Sequence, residues 1–423
     1  MSVVTVNYDK LFYLMEERNI NNAFLMRQAN ISGNIMSRLK HNQYVSLETV
    51  ESICYVLQCR IDEILKFNFP NASECEHKEI VDTKTRIMSI QNRRYLGNKF
   101  KLIDFIRQVT DEHCSDIESV ADIFAGTGAV SSAFIDRAIV TNDLLYSNYL
   151  CNLAWFGSET IRPNLLKGLI EEYNRKSNLE DNYMTENFSD TYFSRNDCTK
   201  IGFIREDIEN KYQNEVISER ERAILIASLL YAMDRIANTC GHYDAYRRGV
   251  IFDKNLLLSP LDVPIRNSLK NRCFNEDANE LVKHIKVDLI YIDPPYNSHQ
   301  YCDTYHLLEN VARWQKPSVH GVARKMDRQS LKSDYCTNKA TIAFEDLISN
   351  INAKYILFSY NNMATKGDDR SNARISDDDI FRILGTKGKV EVFSKKYKAF
   401  STGKSDIQGN EERLFLCKVG QKV

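Results

Sequence analysis

The run Val287–Ile292, VDLIYI, is apolar at nearly every position and stops at Asp293-Pro294-Pro295-Tyr296. A short apolar run closed by prolines predicts a strand buried on both faces, as in a parallel sheet covered by helices. Comparable runs lie at Ser119–Phe124, which leads into AGTG, at Ala138–Thr141, which leads into NDL, and at Tyr355–Phe358. From Tyr95 onward they alternate with helical patterns. That alternation predicts an α/β fold with a mostly parallel sheet. The stretch from Asp143 to Asp277 is far longer than a crossover requires, so it has room for an inserted helical region. Within it, Ala223–Met233 fits a buried helix.

The strand end carries chemistry. Proline fixes its own φ and has no N–H, and it pushes the residue before it into extended geometry. Asp293 and Pro294 are therefore stiff, and the carboxylate and proline carbonyls form a rim of acceptors without donors. A group with two N–H donors suits such a rim, and the exocyclic amine of a nucleobase is one. Accepting both hydrogens draws the nitrogen out of conjugation with its ring and frees the lone pair for attack. Tyr296 offers a flat face on which a base can stack.

Gly126 and Gly128, in VADIFAGTGAVS, sit between a strand and an expected helix. Glycines there permit a tight turn and close approach of backbone to a ligand. Ser131 stands where a third glycine would complete a dinucleotide fingerprint. Asp143 ends the next strand, where an acid can hold ribose hydroxyls. The pattern implies a nucleoside cofactor without requiring a pyrophosphate.

Ahead of this lies a helical unit. Apolar residues recur at helical spacing at Leu11, Leu14 and Met15, at Ala23, Leu25 and Met26, and at Ile35, Met36 and Leu39. Ser32 and Ser46 read as N-caps. The segment Asn68–Asn92 is polar, lacks sustained periodicity and reads as a linker. Net charge is −1, so any nucleic-acid surface must be a local patch. The eleven cysteines show no ligand spacing, which favours reduced thiols and no metal. The first residues lack an apolar signal core and no run approaches bilayer length. The expectation is a cytoplasmic protein with no membrane partner.

RYLGNK (Arg94–Lys99), DIFAGTG (Asp122–Gly128), ND (Asn142–Asp143) and DPPY (Asp293–Tyr296) occur in that order. Together they resemble the motifs of Dam-like adenine-specific DNA methyltransferases of the alpha-type motif order, from Arg93 to the C-terminus. The resemblance implies S-adenosylmethionine as cofactor. It also implies a Rossmann-like fold with a seven-stranded sheet whose last strand is antiparallel and comes from FLCKV. Residue by residue, Tyr95 and Lys99 match the N-terminal cofactor motif. Asp122, Phe124, Gly126 and Gly128 match the loop under the methionine part. Asp143 matches the ribose acid and Asp277 the acid near the cofactor's adenine. Asp293, Pro294, Pro295 and Tyr296 match the catalytic motif. NTCGHYDAYRR resembles part of a target-recognition region, which nominates Asn238, His242, Tyr243, Arg247 and Arg248 for DNA. LFSYNN (Leu357–Asn362) and YKAF (Tyr397–Phe400) resemble later motifs, and Lys398 is nominated for DNA as well.

Asn22–Ala29, a turn at Asn30 and Ser32–Lys40 resemble the Cro/repressor-type helix-turn-helix. Ser32, Asn34, Ser37 and Arg38 would face the major groove. The organisation expected is a helix-turn-helix domain at 1–68, a linker at 69–92 and a methyltransferase domain at 93–423, with a target-recognition insert at 150–272. The function expected is methyl transfer to the exocyclic amine of adenine in duplex DNA. The setting would be a restriction–modification or phage system, with a cognate restriction endonuclease as candidate partner. The alternatives are an RNA adenine methyltransferase, methylation of the cytosine exocyclic amine, and a transcription regulator with an inactive enzyme domain.

Overall fold

The computed structural model describes residues 6–18, 20–57, 59, 61–67, 90, 95, 97, 99–239, 241–296, 298–361, 374–396 and 411–420. The chain divides into two units, Met1–Thr83 and Lys84–Val423.

In the smaller unit, β1 (Val6–Asn7) pairs antiparallel with β2 (Lys66–Phe67). Four helices lie between them: α1 (Asp9–Glu17), α2 (Asn22–Gln28), α3 (Gly33–Lys40) and α4 (Leu47–Leu57). Polar side chains set three of the starts. Asn21 accepts from the N–H of Phe24 at 2.8 Å, Ser32 from Ile35 at 3.3 Å and Ser46 from Thr49 at 3.2 Å. Each supplies one of the acceptors that a helix start lacks. Asn30 turns the chain between α2 and α3 at φ +51°, left-handed geometry that Asn tolerates. Leu11, Leu25, Leu39 and Ile53 are fully buried at the centre.

The larger unit is built on seven strands: β3 (Ser119–Asp122), β4 (Ala138–Asn142), β5 (Arg272–Phe274), β6 (Val287–Ile292), β7 (Ala353–Asn361), β8 (Gly388–Lys396) and β9 (Glu411–Val419). Their order is β5-β4-β3-β6-β7-β9-β8. Neighbours from β5 to β7 are parallel, and β9 is antiparallel to both β7 and β8. This is the seven-stranded sheet expected, with the antiparallel strand supplied by the FLCKV end. The chain runs outward from β3 to β5 and returns to β6 on the other side of β3. Such a reversal leaves a crevice beyond the carboxyl ends of β3 and β6, where ligands of open α/β sheets bind.

The expected helix after Gly128 is a short 3₁₀ turn, Ser131–Phe134. Two serine hydroxyls account for it. Ser131 donates to Asp122 Oδ2 at 3.0 Å and Ser132 to the Ala129 carbonyl at 2.6 Å. Such local bonds compete with a regular helix.

Helix α5 (Ile103–His113) precedes the sheet, and α6 (Tyr146–Phe156) follows β4. Then come α7 (Pro163–Arg175), α8 (Tyr183–Phe188), α9 (Arg195–Gln213) and α10 (Glu219–Ile236), all before β5. The remaining helices are α11 (Ala278–Leu281), α12 (Tyr301–Thr304), α13 (His306–Arg313), α14 (Ala340–Asn350) and α15 (Asp377–Gly385). Among the described residues no helix is long and apolar enough to cross a membrane.

Buried charges fasten the inserted helices to α13 and to the loops around them. Arg205 of α9 donates to the Val311 and Ala312 carbonyls at the end of α13, at 2.9 and 3.1 Å. A cation there also suits the helix dipole. Arg220 of α10 donates to the Glu159 and Pro264 carbonyls at 2.7 and 2.8 Å, and burial pushes it down to about 10. Glu309 of α13 is wholly buried and accepts the Tyr146 and Ser147 N–H groups, both at 2.9 Å. Arg313 donates to it at 2.6 Å. It thereby caps α6, whose Asn152 reaches the glycine loop and whose Asn148 reaches Tyr95.

Glu309→Ala strips two backbone N–H groups and Arg313 of their acceptor. It should cost the larger unit about 3 kcal/mol, measured as a lowered denaturation midpoint. An unchanged midpoint would show that α6 does not depend on this cap.

Candidate active site

Strand β3 delivers Asp122 to the crevice, and the chain then makes its glycine turn. Gly126 sits at φ +53° and Gly128 at φ +81°. A Cβ on Gly128 would lie 2.7 Å from Asn152 Oδ1 and 2.9 Å from the Phe156 ring, so only glycine fits there. Asn152 Nδ2 donates to the Gly126 carbonyl at 3.0 Å. Asp143, at the end of β4, accepts the Gly126 N–H on Oδ2 at 2.8 Å and the Leu145 N–H on Oδ1 at 2.9 Å. It therefore shapes the loop, and each oxygen keeps a second lone pair for a ligand.

The loop, β6 and the segments around them enclose a cavity of about 460 Å³. All the proposed cofactor and catalytic residues line it except Gly128, Pro294 and Tyr296. Gly128 lies behind the turn. Pro294 is buried, and Tyr296 is half-buried, its ring meeting Tyr360 edge-on at 6.5 Å. Asp277 is exposed at the rim, where it also caps α11 by accepting the Asn279 N–H at 2.8 Å.

The cavity is acidic. Asp122 is buried; its Oδ2 takes the Ser131 hydroxyl, while Oδ1 has no donor among the described residues. Burial, with the charges of Asp293 and Asp143, pushes it up to about 7 against the Ser131 bond. Burial raises Asp143 to about 6 despite its backbone donors. Asp293 also stands at about 7: burial raises it, Lys99 draws it down and Glu412 pushes it up. Each carboxylate is expensive to ionise alone, so the cavity favours a cation.

One buried cation faces these acids. Lys99 Nζ lies 3.4 Å from Asp293 Oδ1 and also contacts Glu412 Oε1. Burial lowers the pKa of Lys99, but Asp293 and Glu412 more than offset this and hold it above the usual lysine range. Tyr95 lies parallel to Tyr305 at 4.7 Å and stacks on Tyr301 at 5.4 Å. Asn148 donates to its hydroxyl at 3.0 Å.

Sequence reasoning missed Glu412, Tyr301 and Tyr305. It also missed the segment Leu331–Tyr335, which forms one wall and is held by Gln300 through two bonds to the Ser333 backbone, at 3.0 and 2.8 Å. Two tyrosines four apart just after DPPY were the available signal for the stack. For Glu412 the sequence offers no local signal.

The residues nominated for DNA divide. Asn238 is nearly buried, and its Nδ2 donates to the Thr191 and Arg247 carbonyls at 2.9 and 2.8 Å. Tyr243 is 2% exposed, with its hydroxyl on Asp234 at 2.8 Å. Its carbonyl receives the Tyr192 hydroxyl at 2.7 Å and His306 Nε2 at 2.8 Å. Both residues fasten the loop from within, which corrects the expectation that they meet DNA directly. His242 is half-buried, and Arg247 and Arg248 are exposed. Lys325 pairs with Asp244 at 2.6 Å and ties this loop to the chain beyond α13. On α3, Ser32, Asn34, Ser37 and Arg38 are all exposed; Ser32 also caps the helix, and Arg38 donates to the Tyr44 carbonyl. Lys398, YKAF, Asn362, most of the linker and half of RYLGNK (Arg94, Leu96 and Asn98) lie outside the described residues.

The family model for the D12 class of N6 adenine-specific DNA methyltransferases matches residues 95–365, and that for the Cro/C1-type HTH DNA-binding domain matches residues 10–70. Modification methylase StsI of Streptococcus sanguinis is 36% identical over 341 residues, which is 75% of this chain and 50% of that protein. Type II methyltransferase M.FokI of Planomicrobium okeanokoites is 33% identical over 354 residues, 77% of this chain and 52% of that protein. The chain thus spans about half the length of these two relatives. Type II methyltransferase M.NlaIII of Neisseria lactamica is 30% identical over 332 residues, 75% of this chain and 95% of that protein.

Proposed function

We propose a function from one premise: the chain belongs to the D12 class of N6 adenine-specific DNA methyltransferases. It transfers a methyl group from S-adenosylmethionine to the exocyclic amine of adenine at a specific site in duplex DNA. The observation that carries this reading is the acid-lined cavity with Asp293 and Pro295 on its wall and the glycine turn opposite.

The residues fit the methyl donor on three counts. Asp122 Oδ1 is a buried acceptor with no donor among the described residues, and an ammonium group would satisfy it. Gly126, at φ +53°, brings bare backbone to the cavity wall, where a ligand can approach it closely. The raised carboxylates suit a ligand with positive charge, which would draw them back towards ionisation. When bound, S-adenosylmethionine supplies a methyl group already activated by its sulfonium charge.

The chain's own groups do the rest. The target adenine leaves the base stack to reach the cavity. The Asp293 carboxylate and the Pro294 carbonyl accept its amine hydrogens and orient the lone pair. Tyr296 offers a stacking face. Asp143 and Asp277 remain the acids proposed for the ribose and the adenine of the donor. This is catalysis by position and by fixed charge. His242, Arg247 and Arg248 of the insert at 150–272, and Lys398 of the later YKAF motif, are the proposed DNA contacts.

The helix-turn-helix gives a second DNA contact, with Ser32, Asn34, Ser37 and Arg38 on the groove-facing helix. Autoregulation of its own operon is the role that suits a unit standing apart from the enzyme in chain order. A restriction–modification setting, a cognate restriction endonuclease and a cytoplasmic location belong to the same reading.

Asp293→Ala should slow single-turnover methylation at least about a hundredfold while the donor's affinity holds within a few-fold. In the wild type the ionised Asp293 does the accepting. With its pKa raised to about 7, the rate at low donor concentration should climb as pH rises through neutrality. Near wild-type turnover by Asp293→Ala would end this assignment. A chain starting near Lys84 should methylate the same DNA sequence, read by modification-detecting sequencing. A changed site would show that the helix-turn-helix helps to read the target.

A further inference from the structure

Lys99 carries one ammonium group and faces two carboxylates. Its Nζ stands 3.4 Å from Asp293 Oδ1, beyond an ordinary hydrogen bond, and lies closer to Glu412 Oε1. That same Glu412 oxygen accepts the Ser359 hydroxyl of β7 at 2.9 Å. Lys99 and Glu412 are both more than nine-tenths buried. The ammonium therefore leans towards β9 and away from the strand end that carries the chemistry. Pairing it with Asp293 alone would neutralise it equally well, so the second acid calls for an explanation.

We propose that Glu412 is a positioning residue for methyl transfer: by holding the Lys99 ammonium on β9, it leaves the Asp293 oxygens available to accept the target amine. The inference rests on the function proposed above and adds to it a residue from the far end of the chain. Without Glu412, Lys99 closes on Asp293 and occupies the acceptor that the amine needs.

The groups that face Asp293 define what a titration would report. They are Lys99, Glu412 on β9, Asp122 at the end of β3, Tyr291 on β6 and Tyr301 on α12, while Tyr296 just beyond β6 acts on Lys99 and Tyr301. Burial holds Tyr291 and Tyr301 well above the usual tyrosine range, so both stay neutral near pH 7. Glu412 pushes the Asp293 carboxyl up and Lys99 pulls it down. Loss of the Glu412 charge removes the upward push and tightens the downward pull. Both changes move the ionisation of Asp293 to lower pH.

The experiment compares full-length wild type with Glu412→Gln. Single-turnover methylation of duplex DNA is followed against pH at saturating S-adenosylmethionine. The acid limb should move down by about half to one pH unit, and the plateau should fall about tenfold. An acid limb that stays in place or moves up overturns the proposal, since a merely structural role for Glu412 would lower the rate at all pH values alike. Should Glu412→Gln fail to fold, Glu412→Asp carries the test. Its carboxylate is drawn back by one methylene, so the limb moves the same way by less, and an unmoved limb is again fatal. A carboxyl ¹³C titration of aspartate-labelled protein reads the same shift without turnover, with the Asp293 signal assigned by its loss in Asp293→Asn. A chain that fails to methylate adenine would thus refute the proposed function and still leave Glu412 tested.

Discussion

Lys99 and Glu412 stand 313 residues apart in the chain, yet both are buried and they meet beside Asp293. Burying an ammonium with carboxylates around it is costly, because desolvation removes several kcal/mol per ion before attraction returns any. Apolar packing would fill the same space more cheaply, so the cluster is poorly explained as a device for stability. It does tie three distant parts of the sequence to one point: the segment before α5, the end of β6 and the antiparallel strand β9. The strand order makes this meeting possible, because β9 runs antiparallel beside β7, which itself pairs with β6.

The rest of the cavity is arranged around the same electrostatic constraint. Asp122, Asp143 and Asp293 are all raised by burial and so are all reluctant to ionise in the free chain. From α6, Asn152 bonds the loop between them and Asn148 bonds the Tyr95 hydroxyl, and α6 is held in turn by the buried Glu309. The fold thus keeps several acids close together at the crevice, where a positively charged ligand would relieve their repulsion. The helix-turn-helix has its own core and its own capped helices.

Much of this was legible in the sequence, for physical reasons. VDLIYI and its prolines mark β6 and its end because both signals are local. The glycines, Asp122 and Asp143 could be placed because a strand followed by a tight turn has a short, fixed spacing. Glu412 could not be found in this way, since its partner lies at the other end of the chain. Tyr243 and Asn238 were misread for the opposite reason. A polar loop rich in Tyr, Asn and Arg looks exposed, but here the Tyr243 carbonyl and the Asn238 amide satisfy buried groups that the loop encloses. The helix expected after Gly128 failed because serine hydroxyls took up nearby backbone and carboxylate groups.

Which atom receives the methyl group tests the acceptor rim most directly. Plasmid DNA and RNA, incubated separately with the full-length protein and S-adenosylmethionine labelled in its methyl group, can be digested to nucleosides and read by mass spectrometry. An acceptor rim of Asp293 and Pro294 that orients an adenine amine predicts label in N6-methyladenine from duplex DNA. Label in N4-methylcytosine, label confined to RNA, or no label in either would contradict it.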